Sequence, residues 1–289
     1  MTRTGALPSI AVLGSINVDT VFRVGELPAP GETVLADDRM TFLGGKGANQ
    51  AVAAARLGAD VTVIGTVGDD ADGAFALARL RAAGVRTDLV ARATDARTGT
   101  AAVAVDAAAE NAIVVHPGAN DRVTLPHRMP DVDVLLCQLE VDPAVVDAAV
   151  ARADGFVVVN AAPARRLDPA TLDRADLVVV NELEWAALPE LARCRRVVVT
   201  AGSEGAALVE HGERVLRVPA VRTAARNTVG AGDAFTAAVT IGFAIGLDPA
   251  EALATAAQVG ASAVAQEASQ PDLDPFDTQR SRALAAAVV

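Results

Sequence analysis

Tyrosine is absent from the 289 residues, tryptophan occurs once, and aromatic residues together make up 3%. Such a chain has few flat side chains on which to stack a ligand's base. Cysteine is nearly absent too. Cys137 and Cys194 form no metal-binding pattern, and Cys137 ends an apolar run, as a buried core thiol would. His116, His127 and His211 are scattered, and no ligand role is assigned to them. A basic surplus is missing: the net charge is -11, which argues against nucleic acid as the main partner. It says little about small anions, which backbone N–H groups can hold. No long hydrophobic run exists either. The longest, about Ala234 to Leu247, is too short and too interrupted to span a membrane. The apolar start runs straight into Gly14-Ser15-Ile16-Asn17 without a cleavage-like site. A soluble cytoplasmic protein without a membrane partner is the expectation.

Alanine and valine are what the chain has instead, within a hydrophobic share of 52%. That suits valine-rich strands packed against alanine-rich helices. Strand-like runs are Ile10–Leu13, Val61–Val67, Val132–Cys137, Phe156–Asn160, Leu177–Val180, Arg196–Thr200 and Ala206–Val209, with Arg214–Val218 as an edge strand. Helix-like runs are Ala48–Leu57, Ala71–Ala83, Pro143–Ala153, Ala231–Ile245, Pro249–Gln266 and about Asp277–Ala287. Gly58 and Gly84 stop the first two of these. The alternation predicts an α/β fold with a doubly wound, mainly parallel sheet flanked by helices. Thr20–Phe42 and a hairpin made of Thr98–Asp106 and Asn111–His116 fall outside that rhythm. They are expected to form a small β-sheet standing off the main body, over a ligand or against another subunit.

The chemistry concentrates in Asn227-Thr228-Val229-Gly230-Ala231-Gly232-Asp233-Ala234-Phe235. This reads as a loop turning into a helix. Its glycines allow close approach of the backbone to a ligand, and the first helical N–H groups make an anion site. Asp233 sits in the first turn beside that site. An anion hole next to a carboxylate fits phosphoryl transfer to a hydroxyl, with the carboxylate as base. The plainer reading is a glycine-rich turn with a favourable first-turn acid. A second glycine-rich stretch, Leu43-Gly44-Gly45-Lys46-Gly47-Ala48-Asn49, resembles a phosphate loop only superficially. Gly47 follows Lys46 where a Walker loop needs Ser or Thr.

Open α/β sheets bind ligands at the carboxyl ends of their strands. Polar clusters follow five of the strand-like runs. They are Asn17 with Asp19, Gln138-Leu139-Glu140, Asn160 with Ala161-Ala162-Pro163-Ala164, Asn181-Glu182-Leu183-Glu184, and Thr200-Ala201-Gly202-Ser203. Turn preference alone accounts poorly for so many.

In this order, and with Gly44–Ala51 and Asn227–Phe235, these motifs resemble the ribokinase/phosphofructokinase B family of sugar kinases over nearly the whole chain. The resemblance implies one α/β domain across residues 1–289, with a lid formed by about 20–42 and 98–117. It implies transfer of phosphate from ATP to a sugar, most simply ribose. Another pentose, a hexose or a nucleoside is the alternative, and a non-catalytic sugar-binding protein a further one. Phe22 and Phe42 are the evident candidates to stack a nucleobase, which favours a free sugar.

By the same resemblance Asp233 is the catalytic base and Gly230, Ala231 and Gly232 form the anion hole. Asn17, Asp19, Gly45, Lys46, Asn49 and Glu140, with Asp233, match sugar-binding positions. Asn181, Thr200, Gly202, Ser203, Gly205 and Gly232 match nucleotide-binding positions, and Glu184 a magnesium position, direct or through water. The lid often serves as a dimer interface in the family, so a homodimer is implied. The chain departs from the pattern at Asn227, where an aspartate tied to an activating potassium ion is usual, and at Ala268 in the same ion's loop. An amide keeps the oxygen and loses the charge. Ala257 stands near a position where an asparagine often faces adenine.

Overall fold

The computed structural model of the chain describes residues 7–106, 110–268 and 270–286. In chain order its strands are β1 (Ser9–Leu13), β2 (Asn17–Val24), β3 (Ala36–Gly44), β4 (Asp60–Gly68), β5 (Arg86–Ala93), β6 (Gly99–Val105), β7 (Asn111–His116), β8 (Val134–Gln138), β9 (Phe156–Asn160), β10 (Leu177–Asn181), β11 (Val197–Thr200), β12 (Ala206–Glu210) and β13 (Glu213–Val218). The helices are α1 (Lys46–Arg56), α2 (Ala71–Ala82), α3 (Pro143–Ala151), α4 (Pro169–Arg174), α5 (Glu182–Ala187), α6 (Ala231–Ala244), α7 (Pro249–Val264) and α8 (Phe276–Ala286).

Nine strands form the main sheet in the order β13-β12-β11-β10-β9-β8-β1-β4-β5. All neighbours from β11 to β5 are parallel, while β12 and β13 add antiparallel at one edge. Helices on both faces explain why the inner strands are apolar without alternation. Successive side chains enter different cores. Ile10 and Val12 join residues of α1, α2, α6 and α7 and Phe276 of α8, whereas Ala11 and Leu13 join residues of α3 and α4. Small alanines let α6 and α7 lie close to the sheet: Ala237, Ala238, Ala252 and Ala256 are fully buried. Both cysteines are free thiols in the interior, where burial pushes their pKa values up.

The chain leaves β1 first towards β4 and β5, then returns to β8 on its other side. The strand order therefore reverses between β1 and β8, which is where an open α/β sheet has its ligand crevice. A second sheet of four strands, β3-β2-β6-β7, grows out of that point, because β2 begins at Asn17, just after β1. The parallel pairing of β2 with β6, and of both with antiparallel outer partners, holds it together.

Two elements were not anticipated, β5 and α4. Arg86–Ala93 carries Arg86, Asp88 and Arg92 on an edge strand, so its apolar run is too broken to read as a strand. α4 is only six residues long. The last helix spans Phe276–Ala286, and the expected end at Ala287 lies outside the described residues. So do residues 107–109 of the expected loop near Asp106–Glu110.

Candidate active site

Helix starts separate the structural helices from those at the crevice. Aspartate side chains cap α2 (Asp70), α3 (Asp142), α4 (Asp168) and α7 (Asp248), and proline follows the cap in the last three. α1 and α6 begin instead at Gly45 and Gly230, both with positive φ (85° and 80°) and with no side-chain cap. In α1 the free N–H groups are taken by neighbours. Lys46 N donates to Glu140 Oε2 at 2.9 Å, and Ala48 N to the Ser15 carbonyl at 3.0 Å. Ser15 Oγ donates to the same Glu140 oxygen at 2.5 Å, so the segments after β1 and β8 are joined at the point of strand reversal. A Cβ on Gly47 would come within 2.6 Å of the Gly14 backbone, so α1 can only lie this close to the crevice as glycine. The start of α6 lacks any comparable side-chain partner, and its first N–H groups have none within the helix.

Asp233 lies in the first turn of α6 and is 9% exposed. Its Oδ1 accepts from Gln50 Nε2 at 2.9 Å and its Oδ2 from Asn49 Nδ2 at 3.1 Å. Burial pushes its pKa up, and Lys46, Gln50 and Asn49 partly offset that rise. Lys46 feels burial, which disfavours its charge. The carboxylates of Asp233, Glu140 and Glu184 outweigh this and leave its pKa raised. One ammonium thus lies in the field of three acids, Glu140 from the reversal point, Asp233 from the start of α6 and Glu184 from β10's end.

Asn17 and Asp19 share a face of β2, as their spacing predicts. Asn17 Oδ1 accepts from Asn120 Nδ2 at 2.7 Å, and Asn120 Oδ1 accepts from Ile16 N at 2.9 Å. Asp19 Oδ1 is buried without a hydrogen-bond partner. Burial, then Glu140, pushes the Asp19 pKa up from 3.8 to about 6, against an Ala101 N–H that lowers it. Asp19 pairs directly with Phe42 across β2 and β3, so Phe42 shares the face of Asp19. Phe22 lies on the opposite face, which removes it from the pair of aromatic candidates.

The remaining expected residues sit further along the sheet. Asn181 and Glu184 form a capping box on α5: Glu184 N donates to Asn181 Oδ1 and Asn181 N to Glu184 Oε2, each at 2.8 Å. Burial raises the Glu184 pKa against that N–H and Lys46. Thr200 pairs with Asn181 across β10 and β11. Gly202 and Ser203 are exposed in the turn after β11. Gly205 has a packing reason for being glycine, since a Cβ there would meet the Val218 carbonyl at 2.0 Å. Asn227 Nδ2 donates to the Glu267 carbonyl at 2.8 Å, and its Oδ1 accepts from Val229 N at 2.9 Å. Trp185 is half-buried against the α3/α4 core, so packing accounts for it.

Ser15, Gln50, Asn120 and Gln270 escaped the reading of the sequence. Gln50 left a signal, as a polar residue at the start of the alanine and valine run 51–55. Gln270 left none: its Nε2 reaches Asn49 Oδ1 and the Leu43 carbonyl, both at 3.1 Å, from more than 200 positions away.

Known proteins share this fold and much of this sequence. Ribokinase of Bacillus subtilis is 37% identical over 262 residues, covering 85% of this chain and 89% of that one. The crystal structure of ribokinase from Thermotoga maritima superposes with a TM-score of 0.84 at 26% identity, over 96% of this chain and 99% of that one. Arabidopsis thaliana ribokinase, solved in complex with ribose and ATP, has a TM-score of 0.83 at 28% identity, over 96% and 99%. Since the description of the pfkB family carbohydrate kinases matches residues 7–275, nearly everything from β1 to the approach to α8, the chain belongs to that family.

Proposed function

We propose that the protein is an ATP-dependent ribokinase, converting ribose and ATP to ribose 5-phosphate and ADP. The observation that carries this is Asp233: a buried carboxylate at the uncapped start of α6, held by two amides. Asp233 takes the proton from the sugar's primary hydroxyl as its oxygen attacks the γ-phosphorus. The N–H groups of Gly230, Ala231 and Gly232 hold the charge that develops on the transferring phosphate. A raised pKa makes the carboxylate a better base than an exposed one.

Asn17, Asp19, Gly45, Lys46, Asn49 and Glu140 bind the sugar in this reading. Their joint support is that Lys46, Asp233 and Glu140 act on one another electrostatically and that Asn49 bonds to Asp233. Asn181, Thr200, Gly202, Ser203, Gly205 and Gly232 take the nucleotide, beyond the strands that separate β11 from β8. No group of three or more His, Cys, Asp or Glu suited to a metal ion occurs among the described residues. A magnesium ion fits such a site only as an ion held mainly by ATP oxygens and water, with Glu184 as its protein carboxylate. Magnesium supplies neutralisation of phosphate charge there.

A potassium ion fits less well. The Asn227 amide is oriented by the Val229 N–H, which turns its NH2 group to the Glu267 carbonyl. The Asn227 amide is thus engaged at both ends and carries no charge for an ion, and turnover should be equal in potassium and sodium salts. A strong potassium requirement would reject this. We also place the protein in the cytoplasm, supported by its two free thiols, and assign it a homodimer through the second sheet. Among the described residues no helix is long and apolar enough to cross a membrane.

ADP release measured with ribose, other pentoses, fructose and adenosine tests the activity. Ribose is expected to give the highest kcat/KM. A preference for adenosine would move the assignment to nucleosides, and no turnover with any acceptor would leave a sugar-binding protein.

A further inference from the structure

Behind Asp233 lies a buried chain of three amides that the reaction as described does not use. Gln138 Nε2 donates to Gln50 Oε1 at 2.6 Å. Gln50 Nε2 donates both to Asp233 Oδ1 and to Asn160 Oδ1, each at 2.9 Å. Asn160 Nδ2 donates to the Val179 carbonyl at 2.9 Å. Gln50 and Gln138 are fully buried, and Asn160 is 7% exposed.

The direction of this chain is forced. A backbone carbonyl only accepts, so Val179 turns the NH2 group of Asn160 towards itself and its oxygen towards Gln50. Gln50 must then present NH2 on the side of Asn160, which is also the side of Asp233. Its oxygen faces Gln138, which supplies a donor. Reversing Gln50 would set its oxygen against a carboxylate and a carbonyl, and its NH2 against another NH2. Gln138 completes the chain at a cost, because its own Oε1 is buried without a partner. Gly14 makes room for it: a Cβ there would lie 1.8 Å from Gln138 Oε1.

We propose that Gln50, oriented by Gln138 and Asn160, is a positioning residue for phosphoryl transfer, fixing Asp233 through Oδ1 so that Oδ2 is the oxygen that takes the hydroxyl proton. Oδ2 lies on the side of half-buried Asn49, whereas Oδ1 lies against the fully buried chain. The inference rests on the reading of Asp233 as the base. Donation from Gln50 also helps to hold Asp233 ionised against its burial. The charged groups facing Asp233 are Lys46 from α1 and Glu140 after β8, and the variants below leave both in place.

The test is the pH dependence of kcat with ribose for the wild type, Gln50→Met and Gln138→Met, with folding checked by thermal unfolding. The Gln50→Met change keeps the length of the side chain and removes the amide donor to Asp233 without adding a charge. The buried carboxylate then loses a bond that favours its ionised form, so the acid limb should move up by about one pH unit, with kcat near neutrality falling roughly 10- to 100-fold and KM little changed. Gln138→Met leaves the Gln50 oxygen without its donor, so that the amide is held from the Asn160 and Asp233 side alone, and should give the same changes at smaller size. A folded Gln50→Met enzyme with the wild-type limb and kcat overturns the proposal. If that variant does not fold, an unchanged limb and kcat in Gln138→Met overturns it. A wild type that phosphorylates no acceptor would instead sink the kinase reading.

Discussion

Gly232 and Asp19 show two ways in which a residue can be spent on ligand rather than on fold. A Cβ added to Gly232 would meet nothing within 4 Å, and the position is helical. Gly232→Ala should therefore fold normally, with stability unchanged or raised by about 0.5 kcal/mol. Its methyl group would stand over the N–H groups proposed to hold phosphate, so turnover should fall at least about tenfold. Loss of folding, or full activity, would contradict this; thermal unfolding and an ADP-release assay decide. Asp19 has a folded pKa of about 6, above its ordinary 3.8. The folded state then binds the proton more tightly, so stability is highest at low pH and falls as pH rises from about 4 to 6. Asp19→Asn cannot ionise and escapes that loss, up to about 3 kcal/mol above the window. It should unfold at a higher temperature than the wild type at pH 7.5, with the gap closing by pH 4, while ribose binding by calorimetry weakens. A gap independent of pH would mean that burial of the charge is not the cause. At this scale Asp233 could be picked out from the glycines that open its helix, and Asn17 and Asp19 from their spacing after a strand. Gln50 and Gln270 were not, because their partners lie in other elements.

Elements differ in how their ends are finished. Asp70 both caps α2, accepting from Gly73 N at 2.8 Å, and accepts from Thr98 Oγ and N at 2.6 and 2.9 Å. Thr98 immediately precedes β6, so one carboxylate ties a main-body helix to the root of the second sheet. Its pKa is lowered: Thr98, Gly73 and Arg97 together outweigh burial, the largest single influence. The stabilisation is present above the unfolded pKa and is lost as pH falls through the lower folded value. Asp70→Ala should cost about 1–3 kcal/mol at neutral pH, counting the cap and the Thr98 bonds. Chemical denaturation should show that deficit shrinking below pH 4. A deficit that persists there would assign it to packing. Helices with a Gly stop, and the longer helices with an Asp-Pro start, α3 and α7, could be read directly from the chain. α4 is too short to show a period despite its Asp168-Pro169 start. β5 could not, since its charged residues are tolerated only because it is the edge of the sheet.

For the whole molecule, the second sheet has more apolar surface than the crevice uses. Beyond Asp19, the same face carries Met40, Val21, Val103 and Ile113 in register across the four strands. Ile113 and Val115 remain 54% and 59% exposed. A homodimer through this sheet would cover them. Sedimentation should give a dimer for the wild type and a monomer, or a concentration-dependent mixture, for Ile113→Lys. A wild type that stays monomeric at every concentration would remove the dimer.

By itself the sequence determined the alternation of valine strands and alanine helices, the uncapped glycine start before Asp233, and the polar residues that follow the strands. These are local properties, set by side-chain period, backbone freedom and hydrogen-bonding capacity over a few residues. Only the tertiary structure decided which polar groups meet. The reversal of strand order at β1 and β8 brings Ser15, Glu140 and Lys46 together, and the packing of α1 beside α6 sets Gln50 and Asn49 on the two oxygens of Asp233. The reason is the low dielectric of that junction. Burial makes each polar group depend on a partner, and the partners are close only once the chain has folded.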